Sequence, residues 1–102
     1  MARLKTERLP RFLTSKRDEI LHLAERRGAS NVRVFGSVAR GEDRPESDID
    51  FLVDFPPDTS IFTVVGLWRE LSELLGCEVD LLTDDALDES MKATILRDAV
   101  PL

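Results

Sequence analysis

The stretch FGSVARGEDRPESDIDFLVDF, residues 35–55, decides how this chain folds. Its second half, Asp48 to Phe55, reads as a strand. Successive strand residues point to opposite faces, so Ile49, Phe51 and Val53 share one face while Asp48, Asp50 and Leu52 share the other. The apolar set fills a core and the aspartates face outward together. At ~3.3 Å rise per residue their Cα atoms stand about 6.6 Å apart, a spacing that lets both carboxylates lean over one cation. In the first half, Gly36 and Ser37 interrupt an apolar run and open a short helical stretch, Val38 to about Gly41. A glycine has no Cβ to keep an anion from the backbone. A serine at a helix mouth adds a hydroxyl and amide donors reinforced by the helix dipole. Such a turn suits a phosphate. Between the halves lies a polar loop, Glu42 to Ser47, in which Glu42 and Asp43 read as solvated.

Working outward, Asn31 to Phe35 alternates and is rich in valine, so it reads as the preceding strand. A helix from about 15 to 27 comes before it, with Thr14 or Ser15 as N-cap, Asp18 and Glu19 in the first turn and Gly28 as the stop. Its core face holds Ile20, Leu23, Ala24 and Leu13, and His22, lacking a partner at metal-binding spacing, reads as structural or exposed. Downstream, Pro56 and Pro57 end the aspartate strand and Ser60 caps a helix that stops at Gly76. Ile61, Val64, Val65, Trp68, Leu71, Leu74 and Leu75 recur on it at helical spacing and predict its core face, Trp68 included. Cys77 to Thr83 predicts a third strand, Asp84 begins a turn, and Ser90 to Ala99 predicts a last helix before Pro101. The order helix, strand, short helix, strand, helix, strand, helix predicts an α/β (α+β) plan in which helices cover a small sheet.

The third strand repeats the aspartate arrangement: Val79 and Leu81 face the core and Asp80 faces away. If the two strands are neighbours, three carboxylates gather, repelling by roughly 2 kcal/mol per pair at ~7 Å and an effective dielectric of about 20. A divalent cation removes that repulsion. Mg²⁺ fits best, because it takes a few carboxylates together with phosphate oxygens and water. An EF-hand is excluded by the missing ligands after Asp48, and a P-loop by the absence of G-x-x-x-x-G-K.

The whole chain sets bounds on this reading. Its 102 residues predict a single domain, 1–102, with one modest core. No apolar run approaches the roughly 20 residues that cross a bilayer, so a cytoplasmic location is expected. Cys77 is the one cysteine and reads as a small buried apolar residue. A net charge of −6 argues against direct nucleic-acid binding, although residues 1–17 carry six basic side chains and one glutamate. That basic arm reads as a solvated terminus or a contact for phosphates or an acidic partner.

Taken together, Gly36-Ser37, Asp48-x-Asp50 eleven residues beyond the serine and Asp80 on a later strand resemble the nucleotidyltransferase superfamily that includes DNA polymerase beta. The wording GSVARGE, SDIDFLVDF and VDLL resembles its minimal nucleotidyltransferases, the MNT antitoxins of HEPN/MNT toxin–antitoxin pairs. The resemblance spans about residues 15–100. It implies a nucleotidyltransferase fold, a small mixed β-sheet with helices against it. It also implies a two-metal transfer of AMP from ATP to a hydroxyl. Asp48 and Asp50 would hold two Mg²⁺ ions, with Asp80 completing one metal site and helping to deprotonate the acceptor. Gly36 and Ser37 would hold the β- and γ-phosphates, and Arg40 would touch phosphate or partner. The acceptor it implies is a tyrosine of a HEPN-type RNase toxin in a heteromeric complex. Two alternatives stay open: an antitoxin that neutralises by binding alone, and the catalytic subunit of a small-molecule, antibiotic-type nucleotidyltransferase.

Overall fold

A computed structural model describes residues 9–41 and 48–102. Most of the basic arm, and Glu42 and Asp43, lie outside the described residues. Helices α1 (Arg11–Thr14) and α2 (Arg17–Arg26) lead into β1 (Ser30–Phe35), which passes directly into α3 (Gly36–Ala39). After β2 (Ile49–Asp54) come the long helix α4 (Ile61–Leu75), β3 (Val79–Thr83) and a 3₁₀ turn, Asp84–Ala86. Helix α5 (Glu89–Asp98) and the short β4 (Val100–Pro101) complete the order.

The strands form one mixed sheet in the order β3-β2-β1-β4, as the α/β expectation requires. β1 runs antiparallel to β2 and to β4, while β2 and β3 are parallel and joined through α4, the long crossover that parallel strands need. This pattern gathers three chain positions at one end of the sheet. Antiparallel pairing brings the exit of β1 beside the entry of β2, and parallel pairing brings the entry of β3 there too. Phe35 stands opposite Asp50, and Asp50 stands opposite Asp80.

The core forms as alternation dictates. Ile49, Phe51 and Val53 are fully buried, packed with Val34, Val79, Leu67 and Leu71, and Leu13, Ile20 and Ala24 close it from α1 and α2. Ser60 caps α4 by accepting a hydrogen bond from the Phe62 N–H at 3.2 Å, and Gly76 ends it in the left-handed region at φ 66°. Asp88 likewise caps α5, accepting from the Met91 N–H at 2.9 Å.

Four expectations are corrected. The first helix is broken: the Thr14 and Ser15 hydroxyls donate back to the carbonyls of Arg11 and Phe12, at 3.2 and 3.1 Å, and cap nothing. The N-cap position of α2 is Lys16, without a side-chain cap. Helix α4 is rotated from its predicted face. Leu67 and Leu71 are buried, whereas Ile61, Val65 and Trp68 are exposed, because apolar residues cover most of this helix's circumference and the buried arc is chosen by packing. Cys77 is half-buried rather than fully buried. Finally, Val100–Pro101 is a fourth strand, too short to show any alternation. Among the described residues no helix is long and apolar enough to cross a membrane.

Candidate active site

Asp50 is the centre of the site. It lies on β2 with its Cα partnered to that of Asp80 on β3, so side chains from two neighbouring strands emerge on the same face. Asp48 immediately precedes β2 and is exposed. The structure brings Asp50 and Asp80 together as a pair, with Asp48 close enough to influence Asp50 electrostatically. The pKa of Asp50 is raised to about 6. Partial burial is the largest cause, followed by a hydrogen bond with Asp80 and the negative charges of Asp80 and Asp48, against which the Arg40 guanidinium works.

Gly36 adjoins this pair for a covalent reason and a conformational one. Its φ is 76°, in the left-handed region that a side chain disfavours, and a β-carbon built on it would collide with the Asp50 carboxylate. The turn is thus wrapped onto the aspartate, with Ser37 next along the chain at the start of α3. That helix is a single turn of four residues, so its macrodipole is small. What it presents to an anion is local: first-turn N–H groups without intrahelical acceptors, and the Ser37 hydroxyl. Arg40 sits at its end and pairs with Asp98 of α5 at 3.0 Å. Asp98 carries no signal of its own in the sequence: it lies 58 residues from Arg40 and is brought to it by packing of α5 on α3.

The far end of the sheet shows how this chain treats acidic groups that serve structure. There Arg33 on β1 holds Asp54 at 2.7 Å and reaches Asp84 at 3.9 Å. Among the described residues neither Asp50 nor Asp80 forms such an ion pair. An all-oxygen pair, Asp50 partly buried and Asp80 exposed, is of the donor type that suits a hard divalent ion such as Mg²⁺. Among the described residues no group of three acidic, histidine or cysteine side chains is placed to hold a metal ion, so the structure gives the Asp50–Asp80 pair and not the three-aspartate cluster expected with Asp48.

On the core face of the sheet an open groove of about 600 Å³ lies between the second half of α4 and the start of β3. Trp68, Ser72, Cys77 and Val79 line its apolar part. The Cys77 thiol is pushed above its usual pKa, first by burial and then by the charge of Asp48. The Trp68 indole N–H donates to the carbonyl of Val79.

Comparison with known proteins agrees with this geometry. Residues 17–102 match the nucleotidyltransferase domain family. The chain is 39% identical over 100 residues to the protein adenylyltransferase MntA of Thermococcus cleftensis, covering 98% of each chain. A solved structure of a proposed minimal nucleotidyltransferase superposes with a TM-score of 0.80 at 42% identity, over 88% of this chain and 92% of the other. A crystal structure of a toxin–antitoxin with AMP-PNP shares the fold at a TM-score of 0.72 and 20% identity, over 82% of this chain and 69% of the other. With Gly36-Ser37 wrapped on Asp50 and Asp50 paired to Asp80, the chain belongs to the nucleotidyltransferase domain family, as one of its minimal nucleotidyltransferase enzymes.

Proposed function

We propose that this chain acts as a single-domain antitoxin that transfers AMP from ATP to a tyrosine hydroxyl of a cognate HEPN-type toxin, in the cytoplasm. The observation that carries the reading is the Asp50–Asp80 pair set against Gly36. The relative from Thermococcus cleftensis is named a protein adenylyltransferase, and the likeness to a toxin–antitoxin structure holding AMP-PNP supports both a toxin partner and a nucleotide donor.

Each residue has a role in this reading. Gly36 and Ser37 bind the β- and γ-phosphates through backbone N–H groups and a hydroxyl, and the missing Cβ lets the donor come close to Asp50. Arg40, anchored by Asp98, supplies positive charge on the phosphate side. The acceptor oxygen attacks the α-phosphorus, a P–O bond forms as the bond to the bridging oxygen breaks, and pyrophosphate leaves. Asp80 receives the acceptor proton. Asp48, Asp50 and Asp80 would hold two Mg²⁺ ions, which supply Lewis-acid stabilisation of the phosphate charge when bound.

The test is intact-mass analysis of a candidate HEPN-type toxin from the same genome, co-expressed with wild type or with the double variant Asp48→Asn, Asp50→Asn. Wild type should add whole AMP units and the folded variant none. A partner neutralised equally by both, with no added mass, would instead identify a binding antitoxin.

A further inference from the structure

Helix α5 ends on a charge that a helix end does not favour. The unpaired carbonyls of a C-terminus carry partial negative charge and attract cations. Arg97, in the last turn, meets that preference, but Asp98, the final residue, opposes it. The Asp98 side chain is also only 27% exposed, too covered for water to solvate its charge fully. The compensating cation is Arg40, whose Nη1 donates to Asp98 Oδ2 at 3.0 Å from the end of α3.

Both partners are fixed from β1. That strand passes into α3 without a loop, and the Arg40 N–H donates to the Gly36 carbonyl at 3.2 Å, so the arginine backbone is tied to the phosphate turn. β4 begins at Val100, just after Asp98, and Val100 stands opposite Val34 of β1, so the end of α5 is delivered to the same place. The Arg40 charge also acts on Asp50, drawing its carboxyl down against burial and the other aspartates. An arginine side chain is long and samples many rotamers, and freezing it when an anion arrives weakens binding. A guanidinium already held by a carboxylate keeps its planar fork in one orientation.

We propose that Asp98 is a positioning residue for the nucleotide donor: by holding the Arg40 guanidinium beside Gly36-Ser37 it presents the triphosphate with a pre-oriented cation, which makes the C-terminal end of α5 part of the donor site. This rests on the ATP-dependent reading above. Asp98 is itself an anion, and without this role it would repel the triphosphate. The two cases therefore differ in sign: removing its charge weakens nucleotide binding if Asp98 positions Arg40 and tightens it if Asp98 merely competes for Arg40. A second ion pair on the same helix separates positioning from packing. Lys92 pairs with Asp84, at the far end of the sheet, at 3.5 Å and holds α5 down there. Loss of that pair reports what packing alone contributes.

The test titrates AMP-PNP with Mg²⁺ into the full chain by calorimetry, for wild type, Asp98→Asn, Asp98→Glu, Lys92→Met and Arg40→Ala with and without Asp98→Asn. Asp98→Asn keeps the shape and removes the charge at a partly exposed helix end, so it should melt no lower than Lys92→Met. It should weaken AMP-PNP binding by about fivefold or more, Asp98→Glu should restore binding to within about twofold, and Lys92→Met should match wild type. In the Arg40→Ala background, Asp98→Asn should change nothing further. Unchanged or tighter binding in Asp98→Asn would overturn the proposal. So would a loss that persists in the Arg40→Ala background, or one that Lys92→Met shares. A wild type that binds no AMP-PNP would overturn it together with the ATP-dependent reading. A wild type that binds AMP-PNP, loses affinity in Asp98→Asn and yet transfers no AMP to a candidate HEPN-type toxin from the same genome would refute the transfer reading and leave the role of Asp98 standing.

Discussion

The Asp50 carboxylate rests against the α-carbon of Gly36, filling the space that any larger residue's β-carbon would need. The phosphate turn and the carboxylate strand are therefore a single packed unit, and Gly36→Ala should damage both. Forcing alanine to φ 76° costs about 1–2 kcal/mol, and relief of the collision moves Asp50 off its pairing with Asp80. We expect a folded variant, melting several degrees lower, with transferase activity reduced by at least about 100-fold. Thermal denaturation by circular dichroism and AMP transfer from labelled ATP check the two halves.

Asp50 makes the metal-free protein sensitive to pH. Its folded pKa, about 6, lies above the usual value of 3.8, so the folded state holds a proton that the unfolded chain releases. The stability linked to this proton is fully present below about pH 4, is lost as pH rises through about 6, and changes no further above that. Asp50→Asn should accordingly raise the melting temperature at pH 7.5 and match wild type near pH 4. A wild-type melting temperature higher than that of the variant at pH 7.5 without metal would contradict the assignment.

Mg²⁺ should compete with that proton. Its apparent affinity, read from the rise in melting temperature on titration with MgCl₂, should be constant above pH 7 and fall as pH drops through about 6. The pH dependence should vanish in Asp50→Asn, along with most of the affinity. An unchanged Mg²⁺ response in that variant would place the metal elsewhere.

Away from the site, Arg27 of the α2–β1 connection pairs with Glu70 of α4, its guanidinium lying over Gly66 where a side chain would intrude. Both partners are about two-thirds buried. A double-mutant cycle with Arg27→Ala and Glu70→Ala should give a coupling of about 1 kcal/mol, and neither variant should alter the KM for ATP. Leu71→Ala, in contrast, empties a fully buried position and should cost about 2–5 kcal/mol, seen in urea denaturation.

The carboxylate site was legible in the sequence because strand alternation has a period of two, which commits Asp48, Asp50 and Asp80 to the face opposite Ile49 and Val79 however the strands are ordered. The turn at Gly36-Ser37 was legible because glycine takes at no steric cost the left-handed φ, here 76°, that turns the chain from β1 into α3. The rotation of α4 was not. Apolar residues at 61, 62, 64, 65, 67, 68, 71, 74 and 75 allow several buried arcs, and the choice of Leu67 and Leu71 depends on what α2 and β3 bring against the helix. Nor were contacts between distant residues. The Asp98 anchor of Arg40 and the pairing of β4 with β1 exist only once α5 has packed on α3.

The pairing of Asp50 with Asp80 has a further consequence for how the protein assembles. The two residues belong to strands separated by the whole of α4, so neither a folded hairpin of β1 and β2 nor an isolated α4–β3 unit contains a cation site. If the pair holds Mg²⁺ as proposed, metal capture and annealing of the edge strand β3 are one equilibrium, and the ion would clamp that strand to β2. Amide exchange along Val79–Thr83 should slow with added Mg²⁺ more than exchange along Val100–Pro101, on the opposite margin of the same sheet.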